Sequence, residues 1–347
     1  MANHYTVEQK YELISAGLQE ILGQEELKKI LAQRDLKVYW GTATTGKPHI
    51  GYLVPMLKIA DFLAAGCEVT VLLADLHAVL DNMKAPLELV KARTAYYKVV
   101  ITALLRRAGA PLEKIRFVAG TEFQLEKEYV MDAHKLSTLV TVHDAQRAGA
   151  EVVKQTDNPH LSGLVYPGMQ ALDEEYLGVD AQFGGVDQRK IFIYAEKYLP
   201  MLGYRKRIHL MNPMVPGLGA GKMSSSEESS KIGLTDTDAQ IKKKISKAFC
   251  EEGNIEPNGV LSLIGHVILP TLPAGEKFVI DRYKTQDTLA YDSKKSLEAD
   301  FQNRLIHPAD LKQAAAKYLI EFIRPVREEI EKYPELIAQA YPSPAKK

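Results

Sequence analysis

Residues 37–74 carry the pattern that most restricts the fold. A short apolar run, Lys37-Val-Tyr-Trp-Gly41, leads into a Gly/Thr/Pro-rich turn at residues 42–48. Apolar residues then recur at helical spacing over residues 50–65 and stop at Gly66, and residues 68–74 form a second continuous apolar run. Unbroken Val/Leu runs are typical of strands buried on both faces. Strand, helix and strand over this length make a βαβ unit. The alternation goes on, with a long amphipathic helix at 86–108 ended by Gly109 and Pro111, strands at 116–120, 179–184 and 207–211, and a helix at 187–202. An α/β chain with a parallel sheet covered on both faces is predicted.

Helices are also predicted at residues 8–22 and 25–33, and residues 125–165 read as a helical insertion between two halves of the sheet. After residue 235 the character changes to helices at 236–250, 258–269, 294–304 and 308–332. The expected division is a domain at 1–235, a mainly α-helical domain at 236–341 and a loose tail at 342–347. With 44 Lys+Arg against 44 Asp+Glu the chain has no net charge, which excludes a uniformly basic nucleic-acid binder but not a local basic face. Two cysteines, Cys67 and Cys250, cannot make a disulfide scaffold or a cysteine-rich zinc site. No apolar stretch has the length of a signal sequence core or a membrane span, so a cytoplasmic, reducing location is expected, with no membrane partner.

Two loops carry the chemistry. The first is Gly41-Thr-Ala-Thr-Thr-Gly-Lys-Pro-His-Ile-Gly-Tyr52. Gly41, Gly46 and Gly51 allow close approach to the backbone, Thr42, Thr44 and Thr45 offer hydroxyls, and the helix starting near Ile50 favours anions at its N-terminus. His49 can donate to a phosphate. The loop is not a Walker A sequence, and alone it is equally an ordinary helix cap. The second loop is Gly217-Leu-Gly-Ala-Gly-Lys-Met-Ser-Ser-Ser226, in which Lys222 can reach the phosphates of a nucleotide and stabilise departing pyrophosphate. Alone, it is equally a linker to the helical region.

Together, His49-Ile-Gly-Tyr52 and Lys222-Met-Ser-Ser-Ser226 resemble the His-Ile-Gly-His and Lys-Met-Ser-Lys-Ser signatures of the class I aminoacyl-tRNA synthetases. Tyr52 replaces the second histidine and Ser225 the second lysine. Val38-Tyr-Trp-Gly, Leu73-Ala-Asp-Leu-His-Ala, Glu122-Phe-Gln-Leu, Tyr166-Pro-Gly-Met-Gln-Ala-Leu-Asp173 and Gly184-Gly-Val-Asp-Gln-Arg-Lys190 extend the resemblance over nearly the whole chain, to the tyrosyl family in its archaeal and eukaryotic cytoplasmic branch. The resemblance implies a Rossmann-like catalytic domain and an α-helical anticodon-binding domain. It also implies ATP as substrate, with Mg²⁺ bound through the phosphates and no protein metal site.

Tyr166, Gln170 and Asp173 fall on one helix face by their spacing. That triplet alone is equally a polar seam between helices. The resemblance assigns Tyr39 and Asp173 to a phenolic hydroxyl, and Tyr166, Gln170 and Gln188 to the ammonium and carboxylate of L-tyrosine. His77 and Gln124 line the same pocket, with Phe123 as wall. The resemblance gives His49, Lys222, Thr42 and Thr45 the catalytic roles. Gly41, His49, Gly51, Gly185, Asp187, Lys222, Met223, Ser224 and Ser225 are then to hold ATP. Asp187 would take the ribose hydroxyls, and is equally a helix cap.

The implied reaction joins the tyrosine carboxylate to the α-phosphorus of ATP, releases pyrophosphate, and transfers the tyrosyl group to the terminal adenosine of tRNA(Tyr). Lys242, Lys243 and Asp310 are candidate tRNA contacts. The lysines are equally a solvated helix face, and Asp310 an N-cap. A homodimer through the insertion, with Val130, Met131, Leu136, Leu139 and Val140 among its apolar positions, is implied as well. A tryptophanyl synthetase is the nearest rival, though Tyr39 and Asp173 suit a phenol better. A non-catalytic RNA-binding relative is another.

Overall fold

The computed structural model describes residues 5–81, 86–153, 160–214 and 231–342. The first part of the chain runs α1 (Val7–Ser15), β1 (Glu20–Leu22), α2 (Gln24–Leu31), β2 (Lys37–Thr42), α3 (Leu53–Ala64), β3 (Glu68–Leu73), α4 (Asp75–Leu80), α5 (Leu87–Arg107) and β4 (Ile115–Ala119). The inserted helices α6 (Lys127–Leu139) and α7 (Val142–Gly149) precede α8 (Leu161–Tyr176), β5 (Ala181–Gly185), α9 (Arg189–Tyr198) and β6 (Ile208–Asn212). Then come α10 (Asp238–Lys247), α11 (Gly259–Leu263), α12 (Leu269–Thr271), a hairpin of β7 (Phe278–Arg282) and β8 (Asp287–Tyr291), α13 (Lys294–Gln302), α14 (Pro308–Ile330) and α15 (Pro334–Ala340).

The six strands of the main sheet lie in the order β1-β6-β5-β2-β3-β4, parallel except for β1. From β2 the chain builds outward through β3 to β4. It then crosses back by way of α6, α7 and α8, and builds the other way through β5 to β6. Strand order therefore reverses between β2 and β5, and a crevice opens at their carboxyl ends, where such sheets bind ligands.

Three elements differ from the sequence expectation. The helix predicted over 8–22 ends at Ser15, the chain turns at Gly17 with φ +72°, and Glu20–Leu22 pairs antiparallel with β6 as an edge strand. Three residues are too few to show a period of two. The region after residue 235 holds the β7–β8 hairpin as well as helices. Phe278 and Ile280 are buried while Val279 is exposed, the alternation of a half-buried strand. The helix predicted over 187–202 is α9 flanked by two short 3₁₀ turns.

One apolar core runs from Ile14 on α1, through Phe62 on α3, Leu104 on α5 and Phe183 on β5, to Ile323 on α14 and Ala340 on α15. The sheet and the C-terminal helices thus exclude water together. A separate core under the insertion joins Tyr129 and Leu136 to Leu172, Tyr194 and Tyr198.

The lower end of the sheet is tied by Asp180, buried ahead of β5. It accepts from Arg34 Nη2 and Arg205 Nη2, each at 2.8 Å, and from the Lys37 backbone N–H at 3.0 Å. These donors hold its carboxyl well below the usual range, against the opposing effect of burial. A depressed acid stabilises the fold above its unfolded pKa of about 4 and loses that contribution as pH falls. Asp180→Asn is expected to lower the urea unfolding free energy by about 1–3 kcal/mol at pH 7, and the gap to the unmodified protein should narrow below pH ~4.

Candidate active site

Two adjoining cavities occupy the crevice. The deeper, of about 210 Å³, is lined by Tyr39, Gly41, Thr42, His77, Tyr166, Gln170, Asp173, Gln182 and Gln188 among others. The second, of about 240 Å³, is lined by His49, Gly51, Tyr52, Asn212 and Met214. Trp40, Thr42, Phe183, Gly184 and Gly185 face both. The glycines at the end of β5 have a steric reason. A Cβ on Gly184 would lie 3.1 Å from both Gln188 Cγ and Phe192 Cζ, and one on Gly185 would overlap Asp187 Oδ1.

Asp173 dominates the deeper cavity. Its Oδ1 accepts from Gln124 Nε2 at 2.7 Å and from the Tyr129 hydroxyl at 2.9 Å, while Oδ2 has no partner. His77 Nε2 stands 3.9 Å from Oδ2. Burial pushes the Asp173 carboxyl up to about 8, opposed by those two hydrogen bonds. Burial likewise holds His77 down to about 4, so its ring is neutral at pH 7. Tyr39 lies fully within the protein, and its hydroxyl donates to the Gln170 carbonyl at a long 3.3 Å. Gln170 Nε2 donates to Gln188 Oε1 at 3.1 Å, joining α8 to the turn after β5. A buried carboxyl oxygen with no partner costs free energy until one reaches it.

His49 organises the second cavity. Its Nδ1 accepts from the Gly51 backbone N–H at 3.1 Å, capping the turn into α3. Burial, aided by the charge of Lys231, lowers its pKa to about 4. The ring is therefore neutral at pH 7, with its proton on Nε2, available to an incoming acceptor. The next turn is fixed from across the chain: Ile50 N–H donates to the Ile232 carbonyl at 2.8 Å, and His49 forms a bridge with Gly233. The Tyr52 hydroxyl lies 3.0 Å from Thr42 Oγ1.

The structure brings together Tyr39, Gly41, Thr42, His49, Gly51, His77, Tyr166, Gln170, Asp173, Gly185 and Gln188. Gln124 stands behind Asp173 instead of lining the cavity. Thr45 lines neither cavity, its carbonyl being taken by Arg93 Nη1 at 2.7 Å. Asp187 lines neither cavity; it lies inside a 3₁₀ turn, and the N-cap residues of that turn and of α9 are Gly185 and Gln188, so it is not a helix cap. Lys222, Met223, Ser224 and Ser225 lie outside the described residues. Lys242 and Lys243 are exposed on α10 opposite buried Ile241 and Ile245. Asp310 is buried, and the cap of α14 is His307, not Asp310. In the insertion Val130, Met131 and Leu139 are exposed, whereas Leu136 belongs to a core.

Gln182, Tyr129 and Asn212 are site residues that the sequence did not single out. Gln182 opposes Tyr39 across the β2–β5 register, a pairing visible only once strand order is known. Among the described residues no group of three or more His, Cys, Asp or Glu could hold a metal ion, and no helix is long and apolar enough to cross a membrane.

Residues 31–324 match the family model for class I tRNA synthetases of the tryptophan and tyrosine group. The chain belongs to this family. It is 59% identical over 348 residues to the cytoplasmic tyrosine–tRNA ligase of Xenopus laevis, of whose length it spans 66%, a little under two thirds. It is 53% identical to the probable cytoplasmic tyrosine–tRNA ligase of Encephalitozoon cuniculi, covering 97% of this chain and 99% of that one. Among solved structures it resembles the tyrosyl-tRNA synthetase of Archaeoglobus fulgidus complexed with L-tyrosine, with a TM-score of 0.85, 36% identity, and coverage of 94% of this chain and all of that one.

The raised carboxyl makes a prediction independent of ligand. The folded state keeps a proton on Asp173 that the unfolded chain releases, so this group lowers stability as pH rises from about 4 to about 8. Asp173→Asn should remove that slope. The stability difference between Asp173→Asn and the unmodified protein, from urea titrations at several pH values, should drift in favour of the variant up to pH ~8 and then level.

Proposed function

We propose that the chain is a tyrosine–tRNA ligase that activates L-tyrosine with ATP and transfers it to tRNA(Tyr). The observation that carries this is Asp173 Oδ2, a buried carboxyl oxygen with no hydrogen-bond partner, in a cavity that Tyr39 also lines. A phenolic O–H satisfies that oxygen. The benzyl group of phenylalanine and the indole of tryptophan bring no hydroxyl to it. Gln170, Gln188 and Tyr166 then face the ammonium and carboxylate, which places the carboxylate toward the second cavity.

In the first step a tyrosine carboxylate oxygen attacks the α-phosphorus of Mg²⁺–ATP, and the bond to the bridging oxygen of pyrophosphate breaks. The carboxylate is already ionised, so no protein base is needed, and the protein contributes positioning and charge stabilisation. Neutral His49 donates from Nε2 to a phosphate oxygen. Lys222 supplies positive charge as pyrophosphate leaves, and Asp187 takes the ribose hydroxyls. A ribose hydroxyl of the terminal tRNA adenosine then attacks the adenylate carbonyl and AMP departs.

The helices after residue 235 are assigned to the anticodon end of the tRNA, with Lys242 and Lys243 as phosphate contacts. The apolar side chains exposed on α6, α7 and α8, Met131, Val142 and Leu161 among them, suit a homodimer interface. The relatives named cytoplasmic support that location.

Pyrophosphate–ATP exchange with tyrosine, phenylalanine and tryptophan offered separately tests the proposal. Tyrosine should support exchange at low concentration, phenylalanine only weakly and at high concentration, and tryptophan not at all. Rejection of phenylalanine by about 10⁴–10⁵ is the known discrimination of tyrosine-specific synthetases, not a value obtained from this pocket. The kcat/KM for tyrosine should rise with pH through about 8 as Asp173 ionises. Lys222→Ala should lower exchange by roughly 10²–10³ with little change in the KM for tyrosine. Absence of exchange in folded protein would exclude the ligase.

A further inference from the structure

Four consecutive residues of α8 are each held by a different partner. Asp173 meets Gln124 and Tyr129, Glu174 meets His209 on β6, Glu175 meets Arg207, and Tyr176 meets Asp132 on α6. Of the two ion pairs among these contacts, Glu174–His209 is the one with both side chains wholly buried, with Nε2 and Oε1 2.8 Å apart. Phe192 stacks on the imidazole at 4.6 Å and 12°, and Glu196 Oε1 stands 3.6 Å from Nδ1. Glu174 Oε2 has no partner. An ion pair this deep adds little stability over well-packed apolar residues. It lies one peptide bond from the side chain that faces the substrate.

The charged and titratable groups around this turn are Tyr39 from β2, Asp75 and His77 from α4, Tyr129 and Asp132 from α6, Glu174, Glu175 and Tyr176 on α8 itself, Glu196 from α9, Arg207 just ahead of β6 and His209 on it. Besides the Arg207 guanidinium, which Glu175 holds, the cation among them is His209: the two glutamates hold it up to about 9 against burial, whereas His77 is neutral. Glu174 is a like charge beside Asp173 and opposes its ionisation.

We propose that His209 is a positioning residue for the hydroxyl-reading end of the pocket. It fixes the α8 turn that carries Asp173 and neutralises Glu174, so that Asp173 can turn a charged oxygen toward the substrate. The inference rests on the tyrosine assignment above. It makes two substitutions act in opposite directions. His209→Gln leaves the Glu174 charge uncompensated and raises the cost of ionising Asp173. Glu174→Gln removes the like charge and lowers that cost.

The test is pyrophosphate–ATP exchange from pH 6 to 9 on the full chain and both variants, with tyrosine and with phenylalanine at high concentration. For His209→Gln, the rise in kcat/KM for tyrosine should move up by about one pH unit, an approximately tenfold loss at pH 7, carried in KM. For Glu174→Gln it should move down. Phenylalanine, which has no hydroxyl for Asp173, should keep its rate in both. Superposable pH profiles would overturn the inference, as would tyrosine and phenylalanine falling in equal proportion, the mark of a structural role. If His209→Gln does not fold, Glu174→Gln decides alone, and an unmoved midpoint overturns the inference. Lack of tyrosine exchange in the unmodified protein would instead sink the ligase assignment.

Discussion

The reversal of strand order between β2 and β5 is the constraint on which everything else rests. Parallel strands need crossover connections, and the one from β2 out to β3 and the one from β4 back to β5 build in opposite directions and cannot cover the same end of the sheet. The gap becomes a crevice whose floor is Trp40–Thr42 on one side and Phe183–Gly185 on the other. Both strands end in small residues, so the backbone itself can approach a ligand. The return crossover also has to carry α8 over the crevice, which puts Tyr166, Gln170 and Asp173 on its roof.

Burial then sets the chemistry. Three histidines near the crevice show how far surroundings decide the state of one side chain. His49 loses solvent with no carboxylate beside it, and His77 has only the Asp173 carboxyl 3.9 Å away, itself pushed up to about 8, so both stay neutral, whereas His209 loses solvent and gains two glutamates, so it stays charged. A neutral donor suits the phosphates of the proposed ATP, and a cation behind two carboxylates suits the opposite end of the site. The cost is borne in the fold, since Asp173, Gln182 and Glu174 each keep an unpaired buried oxygen.

Much of this was legible in the sequence, for definite reasons. The βαβ pattern is carried by long runs, and Tyr166, Gln170 and Asp173 declare a shared helix face by spacing alone. What was not legible depends on register or on very short elements. Gln182 faces Tyr39 only because Val38 pairs with Ala181. Tyr129 reaches Asp173 from 44 residues away, through the packing of α6 on α8. Thr45 looked equivalent to Thr42 in a run of hydroxyls. It differs in place: its backbone carbonyl accepts from Arg93 on α5 and the residue lines neither cavity, whereas Thr42 lines both.

The replacement of the motif's second histidine by Tyr52 follows the same logic. The Tyr97 hydroxyl donates to the Gly46 carbonyl at 2.5 Å, and Tyr341, at the end of α15, donates to the same oxygen at 2.8 Å. With the Tyr97 proton committed, the Tyr52 proton has two acceptors, Thr42 Oγ1 at 3.0 Å and the Tyr97 oxygen at 3.5 Å. The nearer is the better hydrogen bond. Burial raises the pKa of Tyr52, so its hydroxyl keeps that proton at neutral pH. When Tyr52 donates to Thr42, the proton of Thr42 is released to turn toward the shared wall of the two cavities. A tyrosine here therefore need not touch the nucleotide proposed for the second cavity. It fixes the turn from behind and leaves the neighbouring threonine as the donor.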